Sequence, residues 1–146
     1  MRKFKFRLAR VLAWRQLQAT LERARLEQLA VRRQALLEQR DVLRQESLDA
    51  AGALAQAGSH SSRQALDSCQ TFARFVRSEE VRLAQALQSA QREIEVQQAR
   101  VRQAEQASQL LKKLEGKRHG EWQSGAAKEL EELASDVFLA AWPRRH

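Results

Sequence analysis

The sequence predicts an all-α protein, namely an elongated antiparallel two-helix coiled coil (an α-hairpin) with a C-terminal helical extension. Its 146 residues include one Pro, five Gly and 5% aromatic residues, whereas Ala, Leu, Gln, Glu and Arg are abundant, which is typical of long helices. No Gly or Pro precedes Gly52, and none lies between Gly58 and Gly116. Apolar residues recur at alternating steps of three and four in both uninterrupted segments, which predicts a coiled-coil seam.

Residues 1–51 are predicted to form the first coiled-coil helix, which starts with a basic head. The head reads MRKFKFRLARVLAWRQLQ and carries six Lys or Arg, with no acidic residue before Glu22. Arg15, Arg33 and Arg40 occupy seam positions. They either fix the register by pairing with acidic residues of the other helix, or their side chains extend along the seam toward solvent. The predicted seam positions are Leu8, Leu12, Arg15, Ala19, Glu22, Leu26, Leu29, Arg33, Leu36, Arg40, Leu43, Ser47 and Ala50.

Residues 52–62 are predicted to form the turn, and residues 63–115 the second coiled-coil helix. The turn reads GALAQAGSHSS and combines two glycines with a serine cluster, which favours a chain reversal. Ser61 with Gln64 predicts a capping box at the start of the second helix. The predicted seam positions are Val76, Glu80, Leu83, Leu87, Ala90, Ile94, Gln97, Val101, Ala104, Ser108 and Leu111.

A short connector of this kind makes the two helices antiparallel. With the turn centred near Ala57, the numbers of facing residues are predicted to sum to roughly 114. This register places Leu26 opposite Leu87 and Arg33 opposite Glu79 or its neighbour Glu80.

Residues 116–146 are predicted to form a C-terminal extension that is first basic and then acidic. The stretch LLKKLEGKRHGEW is basic, and the antiparallel pairing places it beside the basic head. The later stretch KELEELASDVFLAAW predicts an acidic helix with an apolar face, ending at Trp142-Pro143. This helix either folds back along the basic end or extends the second helix, and the sequence leaves both paths open.

The net charge of +8 is concentrated in the head. Residues 1–18 carry six basic groups and no acid, residues 19–50 carry six of each sign, and residues 51–146 carry fourteen basic and twelve acidic groups. A basic head on a nearly neutral body attracts an acidic partner, and that partner need not be nucleic acid.

The sequence lacks the patterns that support catalysis, cofactor binding or metal binding. It contains no glycine-rich phosphate loop, no ordered Ser/His/Asp set and no paired metal-ligand motif. His60, His119 and His146 lie far apart and are expected to be solvated, and Cys69 is expected to be a small buried apolar residue. We therefore expect a protein that is not an enzyme, with no catalytic residue, cofactor or metal.

A single cysteine suits a reducing cytoplasm, because it leaves no internal disulfide. Arg7, Arg10 and Arg15 interrupt the apolar run that a signal peptide needs. The longest apolar run spans residues 137–142, far short of the roughly 20 residues that cross a bilayer. We expect a cytoplasmic protein without direct membrane insertion.

The stretch FKFRLARVLAWRQLQ resembles the opening of the FliJ family of flagellar type III export proteins, where Phe-x-Phe-x-Leu-x-x-Val-Leu-x-x-Arg begins the first helix. Residues up to about 134 are also similar to that family, in which a basic Leu-x-x-Leu stretch and an aromatic residue precede a Gln-Lys-x-Leu-Asp-Glu-x-Ala helix. The sequence departs from the family at Ala126-Ala127, where a Glu-Gln pair is usual. The matching residues are Leu111, Leu114, Lys117, Arg118, Glu121, Trp122, Lys128, Leu130, Glu131, Glu132 and Ala134.

The resemblance implies a stalk-like coiled coil whose joined ends insert into the pore of a hexameric export ATPase ring and promote its assembly and activity. It also implies contacts with the transmembrane export gate and with substrate-specific export chaperones, at the inner face of the plasma membrane. We expect a monomer when the protein is free. The residues implied to bind the ATPase ring are Phe4, Phe6, Arg7, Arg10, Trp14, Lys112, Lys113, Lys117, Arg118, Trp122, Lys128, Leu130 and Glu132.

The residues that the resemblance implies at the export gate are Phe72, Phe75 and Val76, for which a core position is an equal alternative. An alternative is the equivalent stalk protein of a virulence type III injectisome, which has the same architecture, although the Phe-x-Phe head favours the flagellar family. A basic coiled coil that binds nucleic acid is a further alternative. A head lying on a membrane surface is disfavoured, because Arg15 occupies a seam position.

Overall fold

The computed structural model describes residues 2–58 and 62–142. Almost all of these residues belong to two helices, α1 (Ala9–Ala57) and α2 (Arg63–Ala141). The two helices pack against each other, and the described residues contain no strand. The predicted all-α helical hairpin is therefore confirmed.

Helix α1 begins and ends later than the sequence predicts. It starts at Ala9, whose N–H donates to the Phe6 carbonyl at 3.2 Å, so residues 2–8 precede the helix. It continues through Gly52 to Ala57, because one glycine costs a helix only about 1 kcal/mol. Gly58 ends it, with a φ of 54° that favours glycine over every other residue. The predicted boundary at residue 51 was wrong.

Helix α2 begins at Arg63 with Ser62 as its capping residue. The Ser62 side-chain oxygen accepts a hydrogen bond from the Ala65 N–H at 3.1 Å, which is the geometry of an N-cap. The Ser62 carbonyl also accepts the first helical hydrogen bond, from the Leu66 N–H at 3.1 Å. Ser61, the predicted cap, lies outside the described residues, as does His60.

The C-terminal extension is a continuation of α2. The helix runs through Gly116, Gly120 and Gly125 to Ala141. The glycines are isolated from one another by three or four other residues, and isolated glycines weaken a helix without ending it. Of the two paths that the sequence left open, the structure has the one that extends the second helix. Pro143 lies outside the described residues.

The chain divides into two compact units. The middle unit comprises Glu22–Val101, and the terminal unit comprises Met1–Leu21 with Arg102–His146. In the middle unit, Leu43, Val76 and Leu83 form a buried cluster, against which Leu36 and Phe72 pack. In the terminal unit, Leu12 and Ala19 are the buried residues of α1.

The predicted seam is confirmed by burial. In α2, every predicted seam position is buried or half-buried except Glu80. Among the predicted seam positions of the first segment, the exceptions are Arg33 in α1 and Leu8, which precedes α1. Two of the seam arginines bind groups on their own helix. Arg15 donates to the Gln18 side chain at 3.4 Å, and the Nε of Arg40 lies 3.8 Å from a carboxylate oxygen of the adjacent residue.

The register of the middle unit is set by a buried polar residue. Gln97 is only 4% exposed, and its Nε2 donates to the Glu22 carbonyl oxygen at 3.0 Å and to the Glu22 carboxylate. The numbers of this facing pair sum to 119, so the predicted sum of roughly 114 was wrong. The longer α1 moves the chain reversal toward the C-terminus, which shifts every facing pair. Arg33 is exposed, and Glu79 pairs instead with Arg82 on its own helix.

We expect cysteines at positions 36 and 83 to be joined readily by a short thiol crosslinker in a Cys69→Ser background. Leu36 packs against the cluster that contains Leu83, so the two side chains lie close together. Crosslinking is measured by the electrophoretic mobility of the denatured chain with and without the crosslinker. The matched control places cysteines at 26 and 87, the pair of the sequence-derived register. Efficient crosslinking at 26 and 87 but not at 36 and 83 would contradict the observed register.

We expect Leu12→Ala to lower the free energy of unfolding by about 2–3 kcal/mol, because Leu12 is 7% exposed in a packed seam. Leu17 lies one and a half turns further along α1 and is 57% exposed, so Leu17→Ala is expected to change stability by less than about 0.5 kcal/mol. Urea unfolding followed by circular dichroism measures both variants. Equal destabilisation by both substitutions would show that Leu12 is not a seam residue.

Candidate docking site in the terminal unit

An aromatic cluster holds the basic head against α2. The Phe4 ring meets the His119 ring edge-on, with centroids 4.8 Å apart and planes at 82°, and it lies 6.0 Å from the Trp122 ring. His119 and Trp122 are one turn apart on α2, with ring centroids 5.9 Å apart. Edge-to-face packing of this kind stabilises aromatic pairs beyond the burial of their area. The segment before α1 is thus fixed to the helix by its first aromatic residue.

His119 corrects one sequence-based expectation. It was expected to be solvated, but it is half-buried between Phe4 and Trp122. Its partner Phe4 is more than a hundred residues away in the chain, so no local pattern could have indicated the contact. Arg2 of the head lines an open groove with Trp122, Ala126 and Glu129, so the head reaches beyond the predicted stretch LLKKLEGKRHGEW along α2.

Trp14 and Trp122 occupy different environments. Trp122 belongs to the aromatic cluster and is 37% exposed, whereas Trp14 is 54% exposed on α1. The Arg15 guanidinium lies 5.0 Å from the centre of the Trp14 ring, which is within the range of a cation–π interaction. Phe6, another residue of the head, is half-buried. The head therefore presents both fixed and solvent-exposed aromatic surface.

The predicted basic residues of the site are exposed. The terminal unit carries fourteen Lys and Arg against seven Asp and Glu, a net charge of +7, whereas the middle unit carries twelve against eleven. Nearly all of the excess charge thus belongs to one unit. Arg118 forms a long ion pair with Glu121 at 3.7 Å. The exposed basic residues predicted for the ATPase ring are Arg7, Arg10, Lys112, Lys113, Lys117, Arg118 and Lys128.

The remaining predicted residues of the ATPase-ring set lie on the C-terminal part of α2. Leu130 is 53% exposed, and Lys128 and Glu132 are exposed beside it. They are separated from the aromatic cluster by at least six residues of helix, which is about 9 Å. The structure therefore places these three residues on the same helix as Trp122 but outside the cluster.

The predicted export-gate residues are only partly available to a partner. Val76 is 6% exposed and belongs to the core with Leu43 and Leu83, so the core alternative is correct for it. Phe72 is half-buried and packs against the same core. Phe75 is 54% exposed and lies 6.5 Å from the Phe72 ring. Of the three, Phe75 is the residue that a partner can reach.

An ion pair lies one turn from Phe75. Arg82 donates hydrogen bonds to both carboxylate oxygens of Glu79, the shortest at 2.8 Å. The hydrogen bonds from Arg82, together with its positive charge, lower the pKa of Glu79. The same hydrogen bonds and the negative charge of Glu79 raise the pKa of Arg82. Both side chains, together with Phe75, line an open groove of the middle unit.

Within residues 2–58 and 62–142, no group of three His, Cys, Asp or Glu side chains is placed to hold a metal ion. No helix in the same residues has a stretch long and apolar enough to cross a membrane. Cys69 is half-buried rather than buried, beside Phe72 and Leu54 in an apolar groove.

The fold defines the class of this protein as an all-α helical hairpin. No protein-family model, curated protein or solved structure matches the chain significantly.

We expect Phe4→Ala to release the head from α2 while leaving helicity almost unchanged. Loss of the aromatic contacts costs about 1 kcal/mol, which increases transient opening of residues 2–8 about fivefold. Limited trypsin digestion, with cleavage after Lys5 and Arg7 followed by mass spectrometry, measures the opening. Phe75→Ala is the control, because Phe75 is an exposed phenylalanine of the middle unit. Unchanged cleavage in Phe4→Ala would mean that the aromatic cluster does not hold the head.

Proposed function

We propose that this protein is a non-enzymatic component of the flagellar type III export apparatus. It binds the centre of the hexameric export ATPase ring, promotes assembly and activity of the ring, and links the ring to the export gate and to substrate chaperones. It works in the cytoplasm, peripherally associated with the inner face of the plasma membrane through the apparatus. This proposal rests on the sequence resemblance together with the charge of the terminal unit.

The observation that carries the proposal is the segregation of charge. A net charge of +7 belongs to the unit that contains both chain ends, and the middle unit is almost neutral. Gathering like charges costs stability, by a few tenths of a kcal/mol for each exposed pair. An acidic partner surface offsets this cost on binding, and it also speeds association through long-range attraction.

The aromatic cluster gives the head a defined conformation before binding. A partner that meets a head already fixed by Phe4, His119 and Trp122 loses less conformational entropy than one that must order it. Arg7 and Arg10, which are exposed, then present their charge from a fixed position. This is the property that a pore-inserting end requires.

In this proposal, the middle unit contacts the export gate and the chaperones. Phe75 is the exposed aromatic residue there, and the Glu79–Arg82 pair beside it supplies polar groups of both signs. A surface of mixed charge with one exposed aromatic side chain suits a transient protein contact. Val76 contributes only to the packing of the core and does not contact these partners.

The injectisome stalk shares this mechanism, and a nucleic-acid-binding coiled coil shares the basic charge. A pull-down from cell extract separates the classes, because recovery of a hexameric ATPase favours the stalk function and recovery of nucleic acid favours the other. Affinity for nucleic acid would fall steeply with salt through counterion release. The genes adjacent to the coding sequence then distinguish a flagellum from an injectisome.

We expect the triple substitution Arg7→Glu, Arg10→Glu and Lys113→Glu to abolish stimulation of the partner ATPase. Helicity and melting temperature are expected to stay almost unchanged, because all three side chains are exposed. ATP hydrolysis by the purified ring is measured with increasing amounts of each protein, at low and at physiological salt.

The matched control reverses three exposed arginines of the middle unit, Arg44, Arg92 and Arg100, to glutamate. It changes the net charge by the same amount but leaves the head intact, so we expect it to retain most of the stimulation. If the head variant stimulates the ATPase as strongly as the natural protein at both salt concentrations, the basic head is not the docking surface.

A further inference from the structure

The C-terminal part of α2 exposes a continuous apolar face. Steps of three and four residues connect His119, Trp122 and Ala126, which border the head, with Leu130, Leu133 and Val137 further along the helix. The last three are 53%, 60% and 69% exposed. Phe138 is 61% exposed at the margin of the same face. We call Leu130, Leu133, Val137 and Phe138 the C-terminal face.

Acidic side chains border this face on both sides. At 100° per residue, Glu129 and Asp136 lie along one edge and Glu131 along the other. Residues 128–136 include four acids and one lysine, a net charge of −3, although the unit as a whole is strongly basic. The C-terminal face therefore has the opposite polarity to the head.

This polarity decides which partner fits. The resemblance groups Leu130 and Glu132 with the ATPase-binding residues, but an acidic surface that attracts the head would repel residues 128–136. A second copy of the chain is disfavoured, because two such faces would bring their acidic borders together. An anionic lipid surface is disfavoured for the same reason. A basic partner has complementary charge.

The geometry of the face indicates the shape of that partner. Its apolar residues follow the periodicity of a helix, and they form a stripe about as wide as the one that a second helix covers in a coiled coil. An unpaired helical end of this length is only marginally stable in water, so a partner helix would also stabilise it.

We infer that the C-terminal face docks an amphipathic helix of a partner protein, whose apolar stripe is bordered by lysine and arginine. This inference goes beyond the proposed function, because its partner has the opposite charge to the acidic partner of the head. Leu133 and Val137 lie at the centre of the contact, and Glu129, Glu131 and Asp136 pair with the basic borders.

The test uses the full chain and two synthetic peptides of about three heptads. Both peptides have leucine and isoleucine at the seam positions, and the flanking positions are all lysine and arginine in one and all glutamate in the other. Binding is measured by fluorescence anisotropy. The chain carries Arg7→Glu, Arg10→Glu and Lys113→Glu, so that the basic head does not capture the acidic peptide. We expect the basic peptide to bind at least about tenfold more tightly than the acidic one, and to bind more weakly as salt rises.

Leu133→Ala and Leu139→Ala form a matched pair for the same measurement. The two leucines are 60% and 63% exposed on one helix, but Leu139 lies on the side away from the C-terminal face. Because both positions lie inside α2, the introduced alanine has the same effect on helix propensity in the two variants. We expect Leu133→Ala to weaken binding of the basic peptide about tenfold, and Leu139→Ala to change it less than about twofold.

Several results would overturn the inference. The first is no binding of the basic peptide, and the second is equal loss of binding in the two leucine variants. Sedimentation that shows self-association abolished by Leu133→Ala would assign the face to a second copy. Binding to phosphatidylcholine–phosphatidylserine vesicles abolished by the same change would assign it to a membrane. None of these measurements contains the ATPase, so their failure is distinct from failure of the proposed function.

Discussion

The pairing of the helices in the middle unit depends on one buried directional contact in a seam that is mostly apolar. Small and aliphatic side chains such as Ala90 and Leu83 tolerate more than one register, because apolar contacts have little directionality. Gln97 tolerates only one register, since its buried amide needs the Glu22 carbonyl and carboxylate as hydrogen-bond acceptors. Slippage would leave that amide without a partner, at a cost of about 1–3 kcal/mol. The polar pair thus selects one arrangement among several that the apolar seam would accept.

How far the sequence could predict this structure follows from the range of each interaction. Seam positions were predictable because helical periodicity is local, and burial confirms almost all of them. The ends of the helices were not, because Gly52 and Gly116 resemble breakers yet each costs less than its flanking turns gain. The predicted register of the facing residues was wrong for the same reason, because it depends on where α1 ends. The aromatic cluster was beyond prediction, since Phe4 and His119 meet only after the helices pair.

The distribution of charge is consistent with different tasks for the two units. In the middle unit, acids and bases are nearly balanced and pair at short range, as in Arg82 with Glu79 and Arg32 with Glu93 at 3.7 Å. Such exposed pairs contribute little to stability, but they leave no long-range field. In the terminal unit the head has no acids of its own, so its field extends into solvent. Stability therefore comes from the seam, and the surplus charge remains available for a partner.

Opposite charges within one unit raise the question of whether the head and the C-terminal face act independently. The two surfaces meet at Glu129, which lines the same groove as Arg2 of the head, whereas Val137 lies eight residues further along α2, about 12 Å of helix. The screening length at physiological salt is only about 8 Å, so the end of the face around Val137 presents its own sign to an approaching partner. An acidic partner is then attracted to the head and repelled at the C-terminal face, and a basic helix experiences the reverse. The order of charges along α2 would consequently fix which partner binds at which surface, without any change in the fold.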